Sequence, residues 1–161
     1  MDEGVDEKYS YIKVGSPHEN PSRISAHDML TGKFGHVWHQ YGATSGSAAT
    51  GRWKIEFVED GDYKISLRRF PRESGLAINA TFPEQTKIPE LDRIMPASVK
   101  SDFQEAYIYV AGLVKSDKIK EGQDEVSFTS RIPAGKYDME AQLIDENDVV
   151  HPAYYVYIEK I

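Results

Sequence analysis

The stretch GRWKIEFVEDGDYKISLRRFPR, residues 51–72, decides the fold. Trp53, Ile55 and Phe57 alternate with Lys54 and Glu56, and Tyr63, Ile65 and Leu67 alternate with Lys64 and Ser66. An apolar period of two marks strands with one face on a core and one in water. The pattern predicts a β-hairpin with an arginine-rich exit. A two-residue Asp60-Gly61 turn would set Phe57 against Lys64, so the apolar faces would not match. A three-residue loop, Glu59-Asp60-Gly61, pairs Phe57 with Tyr63 and Ile55 with Ile65, and puts Gly61 at the left-handed position such loops need. Pro71 has no N–H to give to a ladder and ends the second strand.

Working outward, residues 9–14 read as a first strand, with Tyr9, Tyr11 and Lys13 on one face and Ile12 and Val14 on the other. Residues 15–22 hold two prolines and form a loop. Residues 23–30 fit either a short strand at Ile24 or a turn capped by Asp28. Residues 36–41 read as a strand, and the small residues at 42–51 as a loop. Past Pro71, residues 76–82 read as a short strand. Prolines 83, 89 and 96 make residues 83–102 an irregular excursion with room for one helical turn. Further strands are expected at 105–114, 122–132, 137–143 and 153–158, with turns at Pro133-Ala134-Gly135 and at residues 145–148. About nine short strands and no long amphipathic helix predict an all-β chain. The expected architecture is an antiparallel β-sandwich, jelly-roll-like, with at most short helical turns. It occupies residues 9–161 as a single domain, behind a disordered lead-in at 1–8.

The 161 residues suffice for one real core. The formal net charge of −7 weighs against a nucleic-acid partner, which calls for a basic patch. The absence of cysteine excludes disulfides, thiolate metal sites and a cysteine nucleophile. No apolar run approaches the ~20 residues of a membrane helix, so no membrane partner is expected. The acidic start, MDEGVDEKYS, is unlike a signal peptide. It fits a chain that stays inside the cell or a fragment of something longer.

Three pieces, taken together, resemble a known family. They are VWHQ at 37–40 shortly before GRWKIEF, then DGDYKISLRRFPRESGLAI at 60–78, then RIPAGKYDMEAQLIDENDVVHPAYYVYIEK at 131–160. Their order and spacing are similar to the C-terminal β-sandwich region that follows the catalytic domain of many bacterial arylsulfatases. Phe70 stands where tryptophan is common there. The resemblance implies a non-catalytic accessory domain, inactive alone, packed on a sulfatase catalytic domain of the same chain. It also implies a periplasmic or secreted parent enzyme that hydrolyses sulfuric esters. Glu19-Asn20-Pro21-Ser22-Arg23, followed by Thr31-Gly32, mimics the sulfatase nucleophile motif. Glu19 sits at the nucleophile position and cannot become formylglycine, so no catalytic or calcium-binding residue carries over.

Candidate interface or ligand residues are Trp38, His39, Arg68, Arg69 and Arg72. Arginine forks suit sulfate, carboxylate or an acidic partner surface, and equally a structural ion pair. Strand parity sets Arg69 on the side of Tyr63, Ile65 and Leu67, with Arg68 opposite. The two tryptophans and ten tyrosines could build a sugar-stacking platform, and equally fill a β core. Trp53 shares a face with Ile55 and Phe57 and belongs to the core. A glycan bound through Trp38 and exposed tyrosines is the competing functional reading. His36 and His39, three apart on a strand, point to opposite faces and cannot share a metal. His18, His27 and His151 have no readable partner, and no cofactor is expected. Asn79-Ala80-Thr81 fits a glycosylation sequon. The oligomeric state is not legible.

Overall fold

Strand β4 (Gly51–Phe57) and strand β5 (Gly61–Arg68) both form, yet they are not ladder partners. The computed structural model describes residues 11–25, 30–31, 51–80, 86–87, 94–95 and 102–161. The other strands are β1 (Ile12–Val14), β2 (Ser22–Ser25), β3 (Leu30–Thr31), β6 (Thr86–Lys87), β7 (Ile94–Met95) and β8 (Phe103–Val110). They continue with β9 (Leu113–Lys118), β10 (Val126–Ile132), β11 (Gly135–Asp145), β12 (Val150–Pro152) and β13 (Tyr155–Lys160). The larger sheet runs β1-β4-β11-β8-β9, with β3 also on β4 and β12 also on β11. The smaller sheet runs β10-β5-β13-β2, and β6 and β7 pair apart. The chain is a β-sandwich, antiparallel except that β1 joins β4 in parallel.

Residues 58–60 carry the chain from one sheet to the other. Phe57 and Tyr63 do meet, edge to face with ring centroids 4.7 Å apart, but across the interior. Alternation reports that a face is buried, not which strand shares its hydrogen bonds. The hairpin expectation is therefore corrected to an arch. β10 and β11 make the same crossing through Pro133 and Ala134. The two arches lie in register: Ile132 pairs with Gly61, and Gly135 with Phe57. The Ala134 amide donates to Asp60 Oδ1 at 2.6 Å, tying one arch to the other. β12 and β13 make a third crossing at Ala153 and Tyr154, where the Ala153 amide donates to the Ala141 carbonyl at 2.8 Å.

Gly61 is not among the glycines with positive φ. A Cβ there would lie 2.7 Å from Lys160 Cε, the far end of a flexible side chain that can move aside, so neither handedness nor space demands glycine. Gly15 needs both, with φ 81° and the Tyr63 ring where its Cβ would be.

Trp53, Ile55, Phe57, Ala106, Ile108, Val110, Met139, Ala141 and Leu143 face inward from the larger sheet, and Ile24, Tyr63, Ile65, Leu67, Val126, Phe128, Val156 and Ile158 from the smaller. Trp53 is wholly buried and its indole N–H donates to the Ser25 carbonyl at 2.8 Å. β13 is buried on both faces, Tyr155 and Tyr157 included, as a covered central strand must be.

Three local expectations change. The strand expected at 105–114 stops at Val110, turns through Ala111 (φ 51°) and Gly112 (φ 79°), and returns as β9. Two successive left-handed residues make the tight hairpin turn whose twist suits paired strands. Residues 75–80 are not a strand: Asn79 brackets Phe103 instead, accepting from its amide at 2.8 Å and donating to its carbonyl at 3.1 Å. The sequon asparagine is thus a structural bracket. Within 83–102, Ile94–Met95 pairs with Thr86–Lys87 as a short ladder rather than joining a helical turn. The expected lead-in at 1–8 and the strand at 36–41 lie outside the described residues. The only helical piece among the described residues is the 3-10 turn Arg72–Ser74, as a chain with at most short helical turns should have.

Candidate functional site

The arginine cluster is spent inside the molecule. After Arg69 and Phe70 the chain folds back over the outer face of the smaller sheet, where Arg72 meets Tyr157 and Glu73 pairs with Arg23 at 3.3 Å. Arg68 points outward from β5, yet its side chain is only 2% exposed. Its Nη1 lies 2.9 Å from Glu125 and 3.4 Å from Asp124, and its Nε donates to the Phe70 carbonyl at 2.9 Å. Arg72 reaches the same Glu125 at 3.3 Å and lays its guanidinium 4.2 Å from the Tyr157 ring. The Arg72 amide donates to the Tyr157 hydroxyl at 3.0 Å, pinning the fold-back to β13. Burial would raise the Glu125 carboxyl, but hydrogen bonds from Arg72 and Arg68 outweigh it and hold it below its ordinary range. These are structural ion pairs.

Arg69 takes the opposite side, as parity requires. It is wholly buried at one end of the interior, its guanidinium 4.9 Å from the Phe70 ring and 5.4 Å from Phe103, with Nη1 donating to the Ile78 carbonyl at 3.3 Å. Burial lowers its pKa, but an arginine stays charged. Neither Arg68 nor Arg69 is available to sulfate or a docking partner. That expectation is corrected, and the physical reason is the fold-back that follows Arg69. Trp38 and His39 lie outside the described residues.

A constellation not legible beforehand joins Asp145, His151 and Tyr154. His151 Nε2 lies 2.9 Å from Asp145 Oδ2, and its Nδ1 lies 3.3 Å from the Tyr154 hydroxyl. The ring also meets Phe103 edge to face at 5.0 Å. Asp145 Oδ1 accepts from the amides of Asn147 and Val149. Burial would raise this carboxyl, but the His151 bond and these amides hold it below its usual range. The order acid, imidazole, hydroxyl is that of an activated nucleophile. Here the hydroxyl belongs to a residue 1% exposed, and burial pushes its pKa up. It can neither ionise readily nor reach a substrate. The triad clamps the turn after β11 onto the crossing before β13. Its one sequence signal is Asp145 opening a turn that returns the chain to His151.

Among the described residues, the outer face of the larger sheet carries an exposed aromatic side chain. Tyr107 and Tyr109 point outward from β8, between inward Ala106, Ile108 and Val110. Tyr109 is 41% exposed and Tyr107 half-buried. Directly across from Tyr109 stand Glu140 on β11 and Val114 on β9; across from Tyr107 stand Gln142 and Ser116. Facing cross-strand side chains lie roughly 5 Å apart, so Tyr107 has a polar neighbour on each side and Tyr109 has one, Glu140. Toward β4 the face is closed by ion pairs: Asp138 binds Lys54 at 2.8 Å and Arg52 at 3.4 Å. Lys54 and Lys136 also lie 5.7 and 5.1 Å from the Tyr11 ring. Tyr107 and Tyr109 could be placed on one strand face from sequence; which face stays open could not. Among the described residues no three His, Asp or Glu converge as metal ligands, and no helix is long and apolar enough to cross a membrane.

No protein-family model matches the chain, and no curated protein matches it. Solved structures similar to it include a ruminal GH26 endo-β-1,4-mannanase, with TM-score 0.42 and 12% identity over 95% of this chain. Another is the Podospora anserina GH26-CBM35 β-(1,4)-mannanase, with TM-score 0.40 and 13% identity over 88%. The chain spans 27% and 28% of the lengths of those two proteins. At these scores the likeness has no bearing on function.

Proposed function

We propose that this chain is a non-catalytic β-sandwich module that holds a glycan against the outer face of its larger sheet. The observation that carries this reading is the outward pair of exposed Tyr109 and half-buried Tyr107, flanked by Glu140, Gln142 and Ser116. A tyrosine ring offers an apolar face to the C–H side of a sugar, while carboxylate, amide and hydroxyl groups take its hydroxyls. Among the described residues, no hydrogen bond or ion pair engages these five side chains. Their polar groups are available to a ligand. The test is affinity electrophoresis in gels containing soluble neutral or sulfated polysaccharides. Retardation that disappears in Tyr109→Ala, with melting unchanged, supports the reading; no retardation in any gel overturns it.

A second reading comes from the resemblance to arylsulfatase C-terminal regions. In it the module packs on a catalytic sulfatase domain of the same, periplasmic or secreted, chain and shapes the rim of its cleft. The order of the pieces at 37–40, 60–78 and 131–160 favours it. It no longer rests on Arg68 and Arg69. The isolated chain would then hydrolyse no aryl sulfate, and turnover in a purified sample would sink the reading.

A further inference from the structure

We infer that the tyrosine face selects a neutral glycan chain and rejects sulfated or uronic-acid-bearing ones. This rests on the glycan-binding reading above and follows from how charge is distributed over that face. Toward β4, Arg52 and Lys54 both bind Asp138, and Lys136 stands at the register position opposite Glu56. Beside the tyrosines the balance is acidic. Glu140 faces Tyr109 directly and lies diagonal to Tyr107, so it borders both rings. It takes part in none of the ion pairs among the described residues. Glu105 follows on the same face two residues from Tyr107, with Lys118 opposite it. The remaining neighbours, Gln142, Ser116 and Val114, are uncharged.

A sulfate or carboxylate carried by a sugar stacked on Tyr109 would lie against the Glu140 carboxylate, and like charges brought together are disfavoured. A sugar hydroxyl meets the opposite situation, since it donates to Glu140 in a charge-assisted hydrogen bond. The same side chain therefore attracts a polyol and repels a polyanion. The molecule's net charge of −7 acts in the same direction at longer range.

The test uses a β-glucan, a xylan and a galactan, each neutral and after chemical sulfation, titrated against the full chain by calorimetry. The expected result is that at least one neutral polymer binds roughly tenfold or more tightly than its sulfated form, with little dependence on salt. Glu140→Gln should weaken neutral binding and narrow that ratio several-fold. Tighter binding of the sulfated form, lost in Tyr109→Ala, overturns the selectivity but leaves the glycan surface standing. Tighter binding of the sulfated form that survives Tyr109→Ala overturns both for this face. Failure of all six polymers to bind overturns both as well.

Discussion

Phe57 and Tyr63 face each other edge to face at 4.7 Å, one projecting from each sheet, so the chain's strongest β signal builds the interior rather than a ladder. Aromatic pairs of this geometry contribute about 0.5–1.5 kcal/mol beyond the area they bury. A double-mutant cycle on Phe57→Leu and Tyr63→Leu should return a coupling of that size. Tyr63→Phe alone loses the hydroxyl's 2.6 Å bond to the Glu59 carbonyl and should cost about 0.5–1.5 kcal/mol in denaturant unfolding.

The arch can be distinguished from a hairpin by cross-linking, because the chain has no cysteine of its own. Lys64 lies opposite Thr129 on β10, whereas a hairpin would set it opposite Glu56. Lys64→Cys with Thr129→Cys should oxidise readily to a disulfide. Lys64→Cys with Glu56→Cys should stay reduced, since those positions belong to different sheets.

Glu125 balances two guanidiniums, one of them buried. Glu125→Gln leaves the Arg68 charge undercompensated and should cost about 2–4 kcal/mol, near the range for breaking a buried pair. Its folded carboxyl lies below the unfolded value, so its stabilisation is fully present above the ordinary carboxylate range, about pH 4.3, and is lost as pH falls through the folded pKa. Asp145 has the same sign. Urea titrations from pH 7 to pH 3 should show wild type losing stability faster than Glu125→Gln, and the double variant with Asp145→Asn flatter still.

Ala111 holds a left-handed backbone at φ 51°, which costs a non-glycine residue roughly 1–2 kcal/mol. Ala111→Asn ahead of Gly112 gives the Asn-Gly pair that such turns favour. The variant should melt a few degrees higher. An unchanged or lower melting temperature would contradict the turn.

Much of the sandwich was legible because alternation is a local signal. Ile55, Tyr63, Ile65, Leu67, Met139 and Leu143 all face inward where a period of two puts them. Partnership was not legible, because it depends on residues far along the chain. β5 takes Val126–Ile132 and Tyr155–Lys160 as neighbours, not the strand three residues before it. β9 carries no apolar alternation, since Leu113–Lys118 is mostly polar, as an exposed edge strand is. Parity placed Arg68 and Arg69 on opposite sides. It could not show the chain after Phe70 folding over the smaller sheet and drawing Arg72 and Glu125 together. The tyrosines of β8 were visible as a pair on one face; that this face stays uncovered depends on where β9 and β11 lie.

The surface itself is tested most directly by NMR chemical-shift mapping of the labelled chain during titration with a bound neutral oligosaccharide. The account predicts perturbations centred on Tyr107, Tyr109, Glu140, Gln142 and Ser116, with Ser66, Arg68, Arg72 and Tyr157 on the other sheet unmoved. Perturbations confined to the smaller sheet, or none at saturating ligand, would contradict it.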